Sequence, residues 1–379
     1  MFPPLNWSVL GFAALVPWLV AVVSARDARF VYLSSYVLGV LFFVINIRWM
    51  CPVTIPGYVA MCFYYGVFFP LAAWPIRHLH RRHRVSLALT VPIIWTAVEY
   101  LRSIGPLGFP WCLLGHTQYR FLWLIQISDL VGAYGVTFVV AMINGWLADL
   151  VVQPFVIMRK ETATPEKESS SQTGSQASES FHSVARLPVG TLGSVLVMLA
   201  CLAYGVVQSS PRHFEAGPVV ALVQHDFPMY VDEFRAGRTH SDTILNAYVS
   251  LAAQAAAHKP DLIVLPETAT PGCINDEFLS ATPAQLEEIL RRRYPKRFPF
   301  WYLQSQQQLG KRVLIAFTEL ATRSNAAIVI GSLAIEWRPT AVPPRAEAFN
   351  SSFLLIPGRD KPVARYDKCH LVLFGEYVP

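Results

Sequence analysis

Six mostly apolar stretches crowd the first part of the chain, at about 7–24, 30–50, 56–76, 85–102, 133–153 and 190–209, and no comparable stretch follows. A helix crosses the hydrocarbon core of a bilayer with ~20 such residues, so each stretch predicts a membrane-spanning helix. The chain then falls into two halves, a transmembrane helical domain over 1–210 and a domain of different character over 211–379. The 379 residues are 53% hydrophobic but only 15% charged, where a soluble domain carries ~25% charged residues. That excludes a plain soluble enzyme, a disordered chain and a collagen-like one. The net charge of +6 does not argue for nucleic acid, because membrane proteins collect Lys and Arg in the loops on one side. No nucleic-acid partner is expected.

Those basic loops set the orientation. Arg26 and Arg29 fall between the first two spans, Arg77, Arg81, Arg82 and Arg84 between the third and fourth, and Arg159 and Lys160 after the fifth. With six spans, all three loops share one face, which the positive-inside rule makes cytoplasmic. The second half then lies on the opposite, extracytoplasmic side. Residues 159–189, Ser-rich and without periodicity, predict a flexible cytoplasmic loop. The stretch 105–131 is too broken by Gly, Pro and polar residues for a clean span. It reads as a re-entrant or interfacial segment, with one more tilted span as the alternative. Glu99 and Arg102, at the outer end of the fourth span, read as a structural pair on one helix face. Trp111, His116 and Gln118 are candidates to line a path for lipid. The N-terminal MFPPLNW lacks a basic region, so no cleaved signal peptide is expected.

From about residue 217 the pattern becomes that of an α/β domain. PVVALVQ and DLIVLPE read as buried strands, with an amphipathic helix over 232–258 between them that places Ile244, Leu245, Tyr248, Leu251 and Ala252 on one face. A helical, aromatic and basic segment follows over 272–312, and AAIVIGS, LAIEW and FNSSFLLIPG read as three strands before ARYDKCHLVLFG. Strand–helix–strand followed by consecutive strands predicts an α/β sandwich. The mixture of Phe298, Phe300 and Trp301 with Arg/Lys over 294–302 suits a mobile arm at a lipid headgroup boundary.

Two residues carry chemistry. Glu267 closes an apolar strand in LIVLPETATPG, a usual place for a general base, although a strand-end Glu also serves as a cap or ion-pair partner. Lys368, in ARYDKCHLVLFGEYVP, ends another strand, where a lysine beside a cleft can hold an oxyanion or lie exposed. No metal-ligand spacing and no disulfide framework is present among Cys51, Cys62, Cys112, Cys201, Cys273 and Cys369, and no cofactor or metal is expected.

Taken together, PETATPG and, about a hundred residues later, YDKCHLVLFGEYVP resemble the nitrilase, or carbon–nitrogen hydrolase, superfamily, whose active site is a Glu–Lys–Cys triad in an αββα sandwich. Joined to a multispan domain, the chain resembles the apolipoprotein N-acyltransferase family. FPPLNWSVLGFAALVPWL, WTAVEYLRSIGPLGFPWCLLGHTQ, ISDLVGAYGVTFVVAMING and LVQHDFP are similar to successive stretches of that family. The resemblance implies that Glu267 is the general base, Lys368 the oxyanion-stabilising lysine and Glu376 a further acidic residue near the reaction centre. Leu373 stands where the family usually has proline.

The resemblance places the nucleophilic cysteine some tens of residues after the lysine. Cys369, next to Lys368, is expected to face away from it because strand side chains alternate; Cys273 lies in a loop; the other four lie in the membrane half. The expectation is therefore a family member truncated at its C-terminus, with no nucleophile in this chain and an incomplete sandwich. The implied reaction is acyl transfer from a phospholipid to the N-terminal diacylglyceryl-cysteine amine of a lipoprotein through a thioester enzyme, in a bacterial inner membrane. The alternatives are a membrane-anchored nitrilase-type amidase and a catalytically dead membrane protein that binds lipid or a partner.

Overall fold

The computed structural model describes residues 6–51, 54–105, 107–161, 190–210, 215–225, 241–293, 300–338 and 345–369. The chain divides into two compact units, Met1–Phe214 and Glu215–Pro379.

The first unit is helical: α1 Val16–Ser24, α2 Ala28–Asn46, α3 Ile55–Gly66, α4 Phe68–His83, α5 Leu87–Ser103, a single turn α6 Leu122–Ile125, α7 Ser128–Glu161 and α8 Thr191–Gln208. Four stretches among the described residues are long and apolar enough to cross a bilayer: Ala28–Asn46, Ile55–His83 (α3 and α4 together), Ser128–Val152 and Thr191–Gln208. The remaining expected spans are shorter, Ser8–Ser24 and the 17-residue α5. The outer surface is apolar: Phe30, Leu33, Leu41 and Ile45 of α2 all point outward, as suits hydrocarbon rather than water. α7 is the central helix, packed against α1, α5 and α8. Its regular part begins after Gly132, whose φ of 64° breaks the helix where only glycine adopts that conformation without strain.

Backbone at bilayer depth needs internal partners, and buried polar side chains supply them. Asn144 of α7 accepts from Leu15 N at 2.8 Å and donates to Gly11 O at 2.8 Å, which ties down the N-terminal segment. Asp149 caps α5 from α7: its carboxylate accepts from Ser86 Oγ (2.6 Å), Leu87 N (3.1 Å) and Ala88 N (3.0 Å), where an anion is favoured by the helix dipole. Arg77 is buried, and its guanidinium donates to Val22 O and Arg26 O. It caps the C-terminal end of α1, so this member of the basic run is structural and not merely solvated.

The second unit holds one five-stranded sheet in the order β1–β2–β3–β4–β5, with β1 Val220–Leu222, β2 Leu262–Val264, β3 Ala327–Arg338, β4 Arg345–Leu355 and β5 Ala364–Asp367. β1, β2 and β3 are parallel; β3, β4 and β5 are antiparallel. The parallel pairs require crossovers, supplied by α9 Ser241–Ala256 and by α10 Asp276–Leu279, α11 Pro283–Arg293 and α12 Phe300–Ser324. Leu245, Tyr248 and Ala252 of α9 and Val313, Phe317 and Ala321 of α12 pack on Ile263, Ile328, Ile330 and Phe353 of the sheet to form the core. AAIVIGS and LAIEW are one 12-residue strand, not two, because β4 pairs with β3 without interruption from Ile328–Leu355 to Arg338–Arg345. The helix expected over 232–258 is described from Ser241 only, and most of the 294–302 arm lies outside the described residues.

Candidate active site

Glu267 stands three residues beyond β2, and Lys368 one residue beyond β5. The ends of these two strands meet over β3 and β4. Lys368 Nζ lies 2.8 Å from Glu267 Oε1. The same oxygen accepts from Asn350 Nδ2 of β4, and the backbone N–H of Lys368 donates to Asn350 O at 2.8 Å. Asn350 thus holds the lysine by its main chain and the carboxylate by its side chain. Glu267 is the more open of the pair, its side chain 58% exposed against 26% for Lys368. Both donors converge on Oε1 of the Glu267 carboxylate.

The loop that carries Glu267 is pinned to β3. Thr270 donates to Gly331 O with both its N–H (3.1 Å) and its Oγ1 (3.0 Å). Ser332 Oγ donates to Gly272 O at 3.2 Å. Asn275 exchanges a pair of hydrogen bonds with the main chain of Ile335, at 2.8 and 3.0 Å. Gly331 makes the close approach possible: a Cβ there would lie 2.3 Å from Pro266 O and 2.9 Å from Glu267 Cα. Thr268 takes up a φ of 48° as the chain turns away.

A second polar cluster lies on the neighbouring face of β4 and β5. Arg365 donates to Asp367 and Glu336 and covers the Phe349 ring at 5.0 Å, while Ser351 Oγ donates to Asp367 at 2.6 Å. The group straps β5 onto the sheet one position before Lys368.

Glu376 lies outside the described residues. Cys273 is 4% exposed, and burial pushes its thiol up to about 12, which makes it an inert core residue. Cys369 lies just past β5, and its Sγ is 3.4 Å from Tyr366 Oη. The contacts of the Glu267 carboxylate among the described residues are nevertheless Asn350 and Lys368, with no thiol.

Glu99 and Arg102 do not bond to each other. Glu99 accepts from Trp95 Nε1, Leu114 N and Thr137 Oγ1, and Arg102 donates to Phe109 O and Trp111 O. Both therefore hold the irregular 105–131 stretch, which forms a 3₁₀ turn at Leu114–Gln118 and the short α6 instead of a span. Trp111 and His116 are exposed, whereas Gln118 is buried and donates to Ser8 O. Among the described residues no cluster of His, Cys, Asp and Glu is placed to hold a metal ion. Sequence reasoning missed Asn350 and Gly331. The Asn-Ser-Ser run and the mid-strand glycine were the available signals.

Comparison with known proteins bears on both units. Residues 1–146 match the apolipoprotein N-acyltransferase N-terminal domain, and residues 220–379 match the carbon–nitrogen hydrolase family. Across its full length the chain is 29% identical to the apolipoprotein N-acyltransferase of Geobacter metallireducens and 26% identical to that of Chlorobaculum tepidum, covering 62% of each. It is 25% identical to that of Rhodopirellula baltica, again over its full length and 65% of the relative. The chain thus spans a little over three fifths of the length of these curated relatives. A helical unit with an apolar exterior joined to a hydrolase sheet that brings Glu267 onto Lys368, together with these matches in both halves, makes the chain similar along its whole length to apolipoprotein N-acyltransferases.

Proposed function

We propose that Glu267 and Lys368 are the base and the oxyanion-stabilising cation of an acyl transfer from a phospholipid to the N-terminal amine of a diacylglyceryl-modified lipoprotein. The observation that carries this reading is the 2.8 Å contact between Lys368 Nζ and Glu267 Oε1, made by residues 101 positions apart. Glu267 takes the proton of a thiol, which near its ordinary pKa of ~8.5 is mostly protonated at neutral pH. The thiolate attacks the ester carbonyl, and Lys368 stabilises the tetrahedral oxyanion. Lysophospholipid leaves, and a thioester remains on the enzyme. The lipoprotein amine then attacks the thioester and releases an amide and the thiol. Lipid-anchored substrates account for a hydrolase unit joined to a membrane unit.

The attacking sulfur is assigned to none of the six cysteines of these 379 residues. Cys273 is buried, Cys369 does not touch Glu267, and the other four belong to the helical unit. The basic loops at Arg26, Arg77, Arg81 and Arg82 support a cytoplasmic face for that end of the helices and an extracytoplasmic one for the hydrolase unit, in a bacterial inner membrane.

The test has two arms. The 379-residue protein, incubated with radiolabelled phospholipid, should form no hydroxylamine-sensitive acyl-enzyme; a thioester mapped to Cys369 or Cys273 overturns the assignment of the sulfur. In a protein spanning the full length of the curated relatives, label should pass to a diacylglyceryl-cysteine peptide, and Lys368→Met should slow transfer by roughly 10²–10³. Release of free fatty acid to water with no amide product would establish the amidase reading instead.

A further inference from the structure

The helical unit contains a cavity of about 130 Å³ that the chemistry at Glu267 does not use. Its walls are aromatic, from Trp18, Phe43, Phe69 and Trp95, and Glu99 and Arg102 also line it. Ala14 and Leu38, both exposed side chains, mark its rim. Leu38 belongs to α2, whose outer side carries the exposed Leu33, Val37, Leu41 and Ile45, so in a bilayer the molecules at this rim are lipid chains.

Arg102 gives the cavity a polar end. It is only 4% exposed, and its Nη1 is engaged by the carbonyls of Phe109 and Trp111 at 2.8 Å each. The N–H groups on Nε and Nη2 have no acceptor among the described residues. Guanidinium donors left unpaired in an apolar surround are costly, so a ligand that brings an acceptor is favoured there. Glu99 does not meet the need, because its own oxygens are taken by Trp95, Leu114 and Thr137. It does exclude one class of ligand: a phosphate or free carboxylate would set a second anion beside it. An uncharged acceptor on an apolar chain fits, and a phospholipid ester supplies both. The volume is close to the roughly 150 Å³ that admits one benzene-sized molecule, enough for a stretch of about six carbons.

We propose that this cavity binds the carbonyl end of a phospholipid acyl chain, with the ester oxygen accepting from Arg102 and the first carbons seated among the aromatic rings. The site stands independently of the reaction assigned to Glu267, and its test reads no acyl transfer. The 379-residue protein is reconstituted in phosphatidylcholine vesicles containing a phosphatidylcholine with a diazirine near the acyl carbonyl, irradiated, and mapped by peptide mass spectrometry. Adducts should concentrate on Phe43, Trp95, Val98 and Cys112 over the lipid-facing Leu89. A diazirine near the chain's methyl end should lose that preference. Losing one charge-assisted bond is worth about tenfold in occupancy, so Arg102→Met should cut these adducts by about that factor, and Arg102→Lys should restore part of them. Because Arg102 also holds the 109–111 loop, Ala14→Phe on the exposed rim provides an independent block and should do the same in a protein whose fold is untouched. Labelling of the cavity no stronger than that of Leu89, unchanged labelling in Ala14→Phe, or displacement of the probe by free fatty acid at concentrations where phosphatidylcholine fails would each overturn the proposal.

Discussion

Replacing Gly331 with alanine adds one carbon at the point where β3 passes beneath the loop carrying Glu267. The new Cβ would sit 2.3 Å from Pro266 O, 2.8 Å from Thr268 N and 2.9 Å from Glu267 Cα. All three are main-chain atoms, so no rotamer change relieves the clash. Restoring ordinary contact of 3.4 Å at Pro266 O requires a displacement of about 1 Å. That is enough to stretch the 2.8 Å Glu267–Lys368 contact beyond hydrogen-bond range. Overpacking of this kind costs about 1–3 kcal/mol. In a domain of this size each kcal/mol lowers the melting temperature by roughly 2–4 °C, so the hydrolase unit should melt roughly 2–12 °C lower. Lys368, released from its carboxylate, should react several-fold faster with an amine-directed acetylating reagent, read by peptide mass spectrometry against Lys361. A Gly331→Ala protein that keeps both its melting temperature and its Lys368 reactivity would refute the claim that this glycine sets the position of Glu267.

Other substitutions separate site from scaffold. Glu267→Gln should change the stability of the hydrolase unit by less than about 1 kcal/mol, because the half-exposed ion pair is screened by water; a loss of several kcal/mol in chemical denaturation would make the pair structural. Asp149→Ala should destabilise the helical unit by about 2 kcal/mol, since one buried carboxylate caps three donors of the α5 N-terminus. Asp149→Asn should recover most of that loss in detergent melting curves. The buried Cys273 thiol, pushed up to about 12, stays protonated in the folded state while the unfolded chain ionises near the ordinary thiol value. Its contribution to stability is therefore full below about pH 9 and falls by about 1.4 kcal/mol per pH unit as the pH rises from there toward 12. Cys273→Ala should flatten that part of the stability profile, and an unchanged slope would count against the burial of the thiol.

Apolar length and motif chemistry could be read from the residues directly, because both are local. The regular part of α7 starts after the glycine that punctuates VGAYG, and the strand bearing LIVLPE ends where its proline and carboxylate indicate. Pairing was less accessible. Two expected strands fused into β3 because a long antiparallel partner, β4, carries the ladder past Gly331. Sequence periodicity cannot see a partner nearly twenty residues away, as Ser351 is from Ser332. Asn350 escaped notice for the same reason: its role comes from lying between the ends of two other strands. Glu99 and Arg102 read as structural, but three-residue spacing on a helix suggests that they pair with each other. The demand of an irregular loop for hydrogen bonds at bilayer depth instead draws each toward the 109–114 backbone.

The convergence of Glu267 and Lys368 can be tested by zero-length coupling. A water-soluble carbodiimide joins a carboxylate to an amine only when the two are in contact, and it leaves an isopeptide bond with no spacer. Applied to the intact 379-residue protein, it should yield a cross-linked peptide pair containing Glu267 and Lys368, absent from Glu267→Gln. Efficient coupling of Lys361 to Asp276, which lie 3.0 Å apart, without any Glu267–Lys368 product would show that these residues do not share a site.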